Sequence, residues 1–437
     1  MSQHKNVVII GGGVAGLYAA KTLSDNQVSN FIILEASSRL GGRVCSDSER
    51  GIELGAEYVH GEETILWDIL VNQLNVELEF NHDMTKLTPK ECGLGLVVEL
   101  DEILEKLIND EELKFAKDMT LKEWLIWREI PEKYHLLVDS TIAQENATCI
   151  DVYSAKGAQE DLIAEFNSEF GDGNYFLKGK NTLENLIIPY LVKSIQQEQI
   201  RLDYAVDSID YTSNQIKING GDIICDKIIL TVPLTTLQHN LIQFTPDLSP
   251  IKKHLIQNQF NMNGGTKIIL NYKKPFWREQ FPNVNVVCVG DDDPLISQFW
   301  FSSTSEEQSE KFGHVITGFS MSNRANYGIV MGEEKVKDHF RKMIQNICGL
   351  TSENDGFIGG MVRNWQDVEH ISGAYASVNT SEESRQNYIG NPRLALSQPI
   401  ESKIYFAGEL FCTHSPATIH GAMETGRDAA LRVIAEM

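Results

Sequence analysis

Three glycines spaced as G-x-G-x-x-G, in the run Gly11-Gly-Gly13-Val-Ala-Gly16, form the first group of residues with a chemical use. In that pattern Gly11 permits a tight turn, Gly13 lets the main chain approach a pyrophosphate, and Gly16 lets a helix sit close to a strand. A carboxylate, Glu35, stands 19 positions after Gly16, a separation that suits hydrogen bonds to ribose hydroxyls. Arg39-Leu-Gly41-Gly42-Arg43 then supplies a second glycine turn between two arginines. Far along the chain, Lys267 lies in the apolar run Thr266-Lys267-Ile-Ile-Leu270. A buried ammonium there is costly without a partner or a job, whereas the solvent face of a half-buried strand would accept it freely.

These residues need elements to hold them. Asn6–Ile10 reads as a buried strand, Val14–Asp25 as a helix by its apolar spacing, and Phe31–Glu35 as a second strand. Alone the glycine pattern is weak. Strand, turn, helix, strand and acid in register predict a dinucleotide-binding βαβ unit, with phosphates at the positive helix N-terminus. The second glycine turn suits a longer anionic ligand that runs on past the first motif, which points to FAD and away from NAD.

Further blocks carry a resemblance: Gly55-Ala-Glu-Tyr-Val-His60-Gly61, Asp226-Lys-Ile-Ile-Leu-Thr-Val-Pro-Leu234, and Thr266 to Trp277. Asn364-Trp365, Gly373-Ala-Tyr375, Ile404-Tyr-Phe-Ala-Gly408-Glu409 and His414 to Gly426 follow in order. With the N-terminal run through Val44, the chain resembles the flavin-containing amine oxidases: monoamine oxidases, polyamine oxidases and the oxidase domain of lysine-specific histone demethylases. The motifs fall nearest the polyamine oxidases.

The resemblance implies an α/β chain in which a Rossmann-like FAD-binding domain is interleaved with an α+β substrate-binding domain. This is the architecture shared by amine oxidases and p-hydroxybenzoate hydroxylase. The division expected is 1–85, 176–250 and 394–437 for FAD, and 86–175 and 251–393 for substrate. It also implies cofactor contacts at Gly11, Gly13, Gly16, Glu35, Arg39, Gly41, Gly42, Arg43, Val206 (through its backbone, at the adenine end), Gly408, Glu409, Thr418 and Ile419. In the family the lysine matching Lys267 hydrogen-bonds through a water to flavin N5, with the tryptophan matching Trp365 close by. Tyr375 matches one of two tyrosines that flank the amine in monoamine oxidases, and Thr418 stands where the second would be. Ala374 replaces the cysteine through which those enzymes attach FAD, so the expected flavin is non-covalent. His60 matches a substrate-contacting histidine of polyamine oxidases, although a lone histidine often serves only to hold a turn. The implied reaction moves hydride from the substrate α-carbon to flavin N5. O2 then reoxidises the flavin to give H2O2, an aldehyde and an amine. A polyamine is favoured as substrate, with Glu57, Glu165, Glu169 and Asp172 as candidates for a distal ammonium. A monoamine or amino-acid oxidase is one alternative, and a non-catalytic flavoprotein scaffold or redox sensor another. A methyl-lysine demethylase is disfavoured because the long helical insertion that binds its corepressor is lacking.

Composition sets outer limits. A chain of 437 residues exceeds one compact core. No run of 18 apolar residues is present, the first strand leaves no room for a signal peptide, and no apolar tail follows the last helix. A soluble, cytoplasmic protein is expected. Seven scattered cysteines without Cys-x-x-Cys fit reduced thiols, neither a disulfide framework nor a metal site. A net charge of −23 excludes nucleic acid and anionic membrane as partners. It would concentrate a cationic amine, or simply keep the protein soluble. Oligomeric state is not legible. The spacing further predicts helices within 99–175 and a helix over 418–436. Strands are predicted at 200–204, 206–211, 215–218, 228–232, 267–272, 283–289, 315–320 and 404–406, and the charge-dense stretch 302–311 reads as an exposed loop.

Overall fold

The computed structural model describes the chain except residues 1–2, 81–83, 88–94, 167–169, 172, 179–180, 282–283, 285, 290–292, 303 and 388. It opens with β1 (Gln3–Ile10), α1 (Val14–Asp25) and β2 (Phe31–Leu34), the predicted unit to within a few residues. Val7, Val8, Ile9, Phe31 and Ile33 are fully buried, each contributing on the order of 2 kcal/mol of apolar burial. The chain returns to this sheet as β3 (Ile223–Leu230), parallel to β1 with Val8 beside Ile228.

It then leaves for a second, six-stranded sheet. Its second strand is β4 (Gly265–Tyr272), flanked by antiparallel β5 (His314–Met321) and by the edge strand β6 (Phe357–Asn364). Finally β7 (Ile404–Phe406) rejoins the first sheet beside β3, and α2 (Ile419–Ala435) packs across α1. An added Cβ on Gly426 of α2 would come 2.2 Å from the Ala15 carbonyl oxygen, so the helices meet backbone to backbone. A helical layer holds its own core around Trp124, Leu125 and Tyr153, as the spacing over 99–175 predicts.

Some expectations need correction. The stretch read as an exposed loop contains the helix Glu306–Phe312. A capping box starts it: Gln308 N donates to Ser305 Oγ at 3.3 Å, and Ser305 N to Gln308 Oε1 at 3.2 Å. Glu306 and Glu307 then complement the helix dipole, so the charges that suggested a loop favour a helix start. The strand expected from 206 begins at Ser208, and that expected over 200–204 is confined to Ile200–Arg201. The strand expected over 283–289 is described as Val286–Val289, positions 283 and 285 lying outside the described residues.

Candidate functional site

At the start of α1 the glycines split into two roles. Gly16 closes packing, since its Cβ would come 2.0 Å from the Gly11 carbonyl oxygen. Gly13 opens space: its Cβ would meet nothing within 4 Å, and it caps the helix with no side chain. Gly11 (φ 111°) and Gly41 (φ 106°) hold left-handed turns, and Gly41 N donates to the Gly12 carbonyl at 2.9 Å, joining the two glycine segments. Glu35 accepts from Gly12 N at 2.6 Å and from Ser37 N at 2.9 Å. Arg39 donates to the carbonyls of Leu40, Gly42 and Val44 and pairs with Glu184, fixing the second turn.

Arg43 reaches the opposite wall. Its Nη1 donates to the Ala374 carbonyl at 2.8 Å and to Glu409 Oε1 at 2.9 Å. Glu409, next to Gly408 (φ 133°), is buried, and its Oε2 has no hydrogen-bond partner. Thr418 caps α2: its hydroxyl accepts from Gly421 N at 3.0 Å and donates to the Ser415 carbonyl at 2.8 Å, with Ile419 as the first helical residue. Val206 is buried just ahead of the strand Ser208–Asp210. Open space at Gly13, a helix end capped by a glycine and an unsatisfied buried carboxylate at Glu409 fit an elongated nucleotide cofactor.

The second half of the site lies where β4 meets residues 53–57. Lys267 on β4 is 6% exposed, so it does not face solvent. Its Nζ donates to Glu57 Oε2 at 2.6 Å and to the Glu53 carbonyl at 3.1 Å, leaving one N–H of the ammonium. Trp365 Nε1 donates to the Leu54 carbonyl at 2.9 Å. Residues 53–57 are thus stitched to the second sheet. Gly55 is required there: a Cβ would come 1.9 Å from the Arg43 carbonyl oxygen and 2.9 Å from the Trp365 ring. Glu53 is buried with Oε2 unpartnered; burial first, then Glu57, push its carboxyl up to about 8, against the Leu183 N–H that Oε1 accepts at 2.6 Å.

From Lys267 the site continues into aromatic side chains. The ammonium lies 5.3 Å from the Trp300 ring centre, Trp300 packs on Tyr58 at 5.8 Å, and Tyr58 packs on Phe176 and His60 at 4.5 and 5.7 Å. His60 keeps accessible surface, yet desolvation lowers its pKa, outweighing the Asn174 carbonyl 2.5 Å from Nδ1. Its Nδ1–H therefore donates to Asn174, and the neutral ring offers Nε2 as an acceptor. Tyr375 is likewise accessible and desolvated; burial, then Glu145, push its hydroxyl up. Trp300, Tyr58, Phe176 and His60 thus form a continuous run of rings that starts at the Lys267 ammonium.

Glu145 was not legible as a site residue. Its carbonyl accepts the Tyr375 hydroxyl at 2.5 Å, and its carboxylate accepts Gln298 Nε2 at 2.7 Å. Its charge acts on both Tyr58 and Tyr375, each of whose hydroxyls is raised mainly by burial. Of the four acids expected near a distal ammonium, Glu57 is taken by Lys267. Glu165 is accessible and desolvated, which raises its carboxyl. Glu169 and Asp172 lie outside the described residues.

The sequence pattern of the flavin containing amine oxidoreductases matches residues 14–434. This chain belongs to that family. Among curated relatives, polyamine oxidase 4 of Oryza sativa subsp. japonica is 24% identical, over 97% of this chain and 88% of that protein. Lysine-specific histone demethylase 1B of Mus musculus is 26% identical, over 99% of this chain and 53% of its own length. The fold is shared with wild-type putrescine oxidase bound to putrescine (TM-score 0.80, 16% identity, all of both chains). Cyclohexylamine oxidase from Brevibacterium oxydans matches at TM-score 0.79 and 16% identity over 99% of each chain. The protein is therefore an FAD-dependent amine oxidase with a mixed α/β fold. No helix among the described residues is long and apolar enough to cross a membrane.

Proposed function

We propose that this amine oxidase acts on a polyamine-type substrate. One observation carries the reading: Glu145 holds the Tyr375 hydroxyl through its carbonyl at 2.5 Å and keeps its carboxylate beside Gln298 Nε2 at 2.7 Å. A carboxylate among aromatic side chains recognises a cation at a distance from the reacting amine. Glu165 is a second candidate carboxylate for a distal ammonium. Relatives named polyamine oxidases support the same direction.

In this proposal FAD, bound without a covalent link because Ala374 precedes Tyr375, supplies the hydride acceptor and passes electrons to O2. Its contacts come from the glycine turns, Glu35, Arg39, Arg43, the Val206 backbone, Gly408, Glu409, Thr418 and Ile419. The chain's own residues orient the amine and exclude water. Tyr375 and Thr418 flank the amine, with Tyr375 held by its bond to the Glu145 carbonyl. His60 accepts an amine N–H at Nε2, and the remaining Lys267 N–H holds a water beside the reacting centre. Trp365 fixes the strip that carries the partners of Lys267. The FAD-binding segments are 1–85, 176–250 and 394–437, the rest forming the substrate side, and the protein works in the cytoplasm.

Anaerobic flavin bleaching across spermine, spermidine, putrescine, acetylated polyamines, monoamines and amino acids tests this. Fast reduction by a polyamine with a matching product mass supports it. Bleaching by monoamines or amino acids alone would overturn it.

A further inference from the structure

One cluster of ligand-type side chains plays no part in the amine reading. Cys412, His414 and Glu424 bring one donor atom each to within 4.8 Å of one another. Cys412 and His414 lie on the segment entering α2, and Glu424 on the helix itself. Cys412 is 1% exposed and Glu424 3%, while His414 reaches solvent. His414 Nε2 sits 2.7 Å from Glu424 Oε2, and its ring lies 5.4 Å from Phe170.

An ion pair accounts for the histidine and the buried carboxylate. The Cys412 thiol also hydrogen-bonds His414, yet sulfur is a weak hydrogen-bonding partner and a strong metal ligand once deprotonated. A further buried imidazole packs on the phenyl ring that His414 faces. His420, four residues before Glu424 and so on the same helix face, is buried, and its Nδ1 has no hydrogen-bond partner. Its ring lies 6.2 Å from the same Phe170.

We propose that this cluster binds a borderline-soft divalent cation, zinc foremost. Cys412 Sγ, His414 and Glu424 are the protein ligands, and water takes the fourth position. Thiolate, imidazole and carboxylate together form a zinc donor set, whereas magnesium and calcium favour all-oxygen sites. Bonds of about 2.0–2.3 Å place tetrahedral donors roughly 3.5 Å apart, so the side chains need close up by only about 1 Å. Binding exchanges the His414–Glu424 ion pair for metal bonds and releases the thiol proton and one imidazolium proton to solvent. The sequence reading expects no metal site because no Cys-x-x-Cys exists; here folding brings Glu424 back to Cys412 and His414. A bound ion ties the 412–418 segment to α2, where Thr418 caps the helix and a Gly421 Cβ would come 3.0 Å from Cys412 Sγ. The inference stands whichever amine is the substrate.

Chelator-stripped, desalted holoenzyme is titrated with Zn2+ by calorimetry and with Co2+ by difference absorption, beside Cys412→Ser, His414→Ala and Glu424→Gln. The expected result is one equivalent bound, with a sulfur-to-cobalt charge-transfer band that Cys412→Ser abolishes. His414→Ala, at an accessible position, weakens Zn2+ at least tenfold (about 1.4 kcal/mol). Substoichiometric binding to wild type would overturn the proposal. So would Cys412→Ser and His414→Ala binding as tightly as wild type, leaving an ion pair beside a buried thiol.

Discussion

The proposed cofactor cradle and the proposed amine site are built by opposite means. Around α1 the shape comes from backbone: Gly13 leaves space, Gly16 removes it, and Gly11 and Gly41 turn the chain. In the amine site it comes from side chains delivered by distant segments, with Lys267 of β4 meeting Glu57 and Tyr375 meeting Glu145. A backbone site tolerates little variation at its glycines but is indifferent to its surroundings. A side-chain site can be retuned one residue at a time.

Substitutions can break that contrast. The largest effect is expected at the lysine: Lys267→Met leaves Glu57 buried and unpaired, costing about 3–5 kcal/mol of stability. Chemical denaturation would show this, with most of the loss recovered in Lys267→Met/Glu57→Gln, and flavin reduction would slow about 100-fold. In the cradle, Gly16→Ala forces a Cβ onto the Gly11 carbonyl and is expected to cost on the order of 3 kcal/mol. Gly13→Val should leave the melting of the apoprotein unchanged yet abolish flavin retention on desalting; equal losses in both variants would refute the division of roles.

Glu53 sharpens the comparison through pH. Its folded carboxyl, raised from 4.5 to about 8, holds a proton more tightly than the unfolded one. The stability this contributes is full below about pH 4.5 and is lost as pH rises toward 8. At about 1.4 kcal/mol per pH unit, wild type should lose a few kcal/mol relative to Glu53→Gln over that window. Parallel stability profiles would show that Glu53 titrates normally. The smallest effect is expected at Glu145→Gln: roughly tenfold higher KM for a polyamine, with monoamines unaffected. A shift shared by both classes would remove Glu145 from substrate selection.

How much was legible follows the same line. β1, α1 and β2 were readable because their signals are local, apolar periodicity and glycine spacing within 30-odd residues (3–34). The side of β4 on which Lys267 falls was not, since burial depends on the sheet's contacts with residues 53–57. Glu145 carries no motif; it matters through Tyr375, which is 230 positions away. Cys412 and Glu424 likewise meet only because a loop precedes a helix at a given angle. The Ser305–Gln308 capping box was local, and charge density masked it.

The strip 53–57, sewn to the far sheet by Lys267 and Trp365, makes the junction a poor hinge. Opening it would strand three donors at once. Tyr375 and His60 are held instead by single side-chain hydrogen bonds, to the Glu145 carbonyl and to Asn174, and can swing without unseating the backbone. Redesign aimed at new specificity belongs at such side chains, because replacing 53–57 would carry away the lysine's counter-charge.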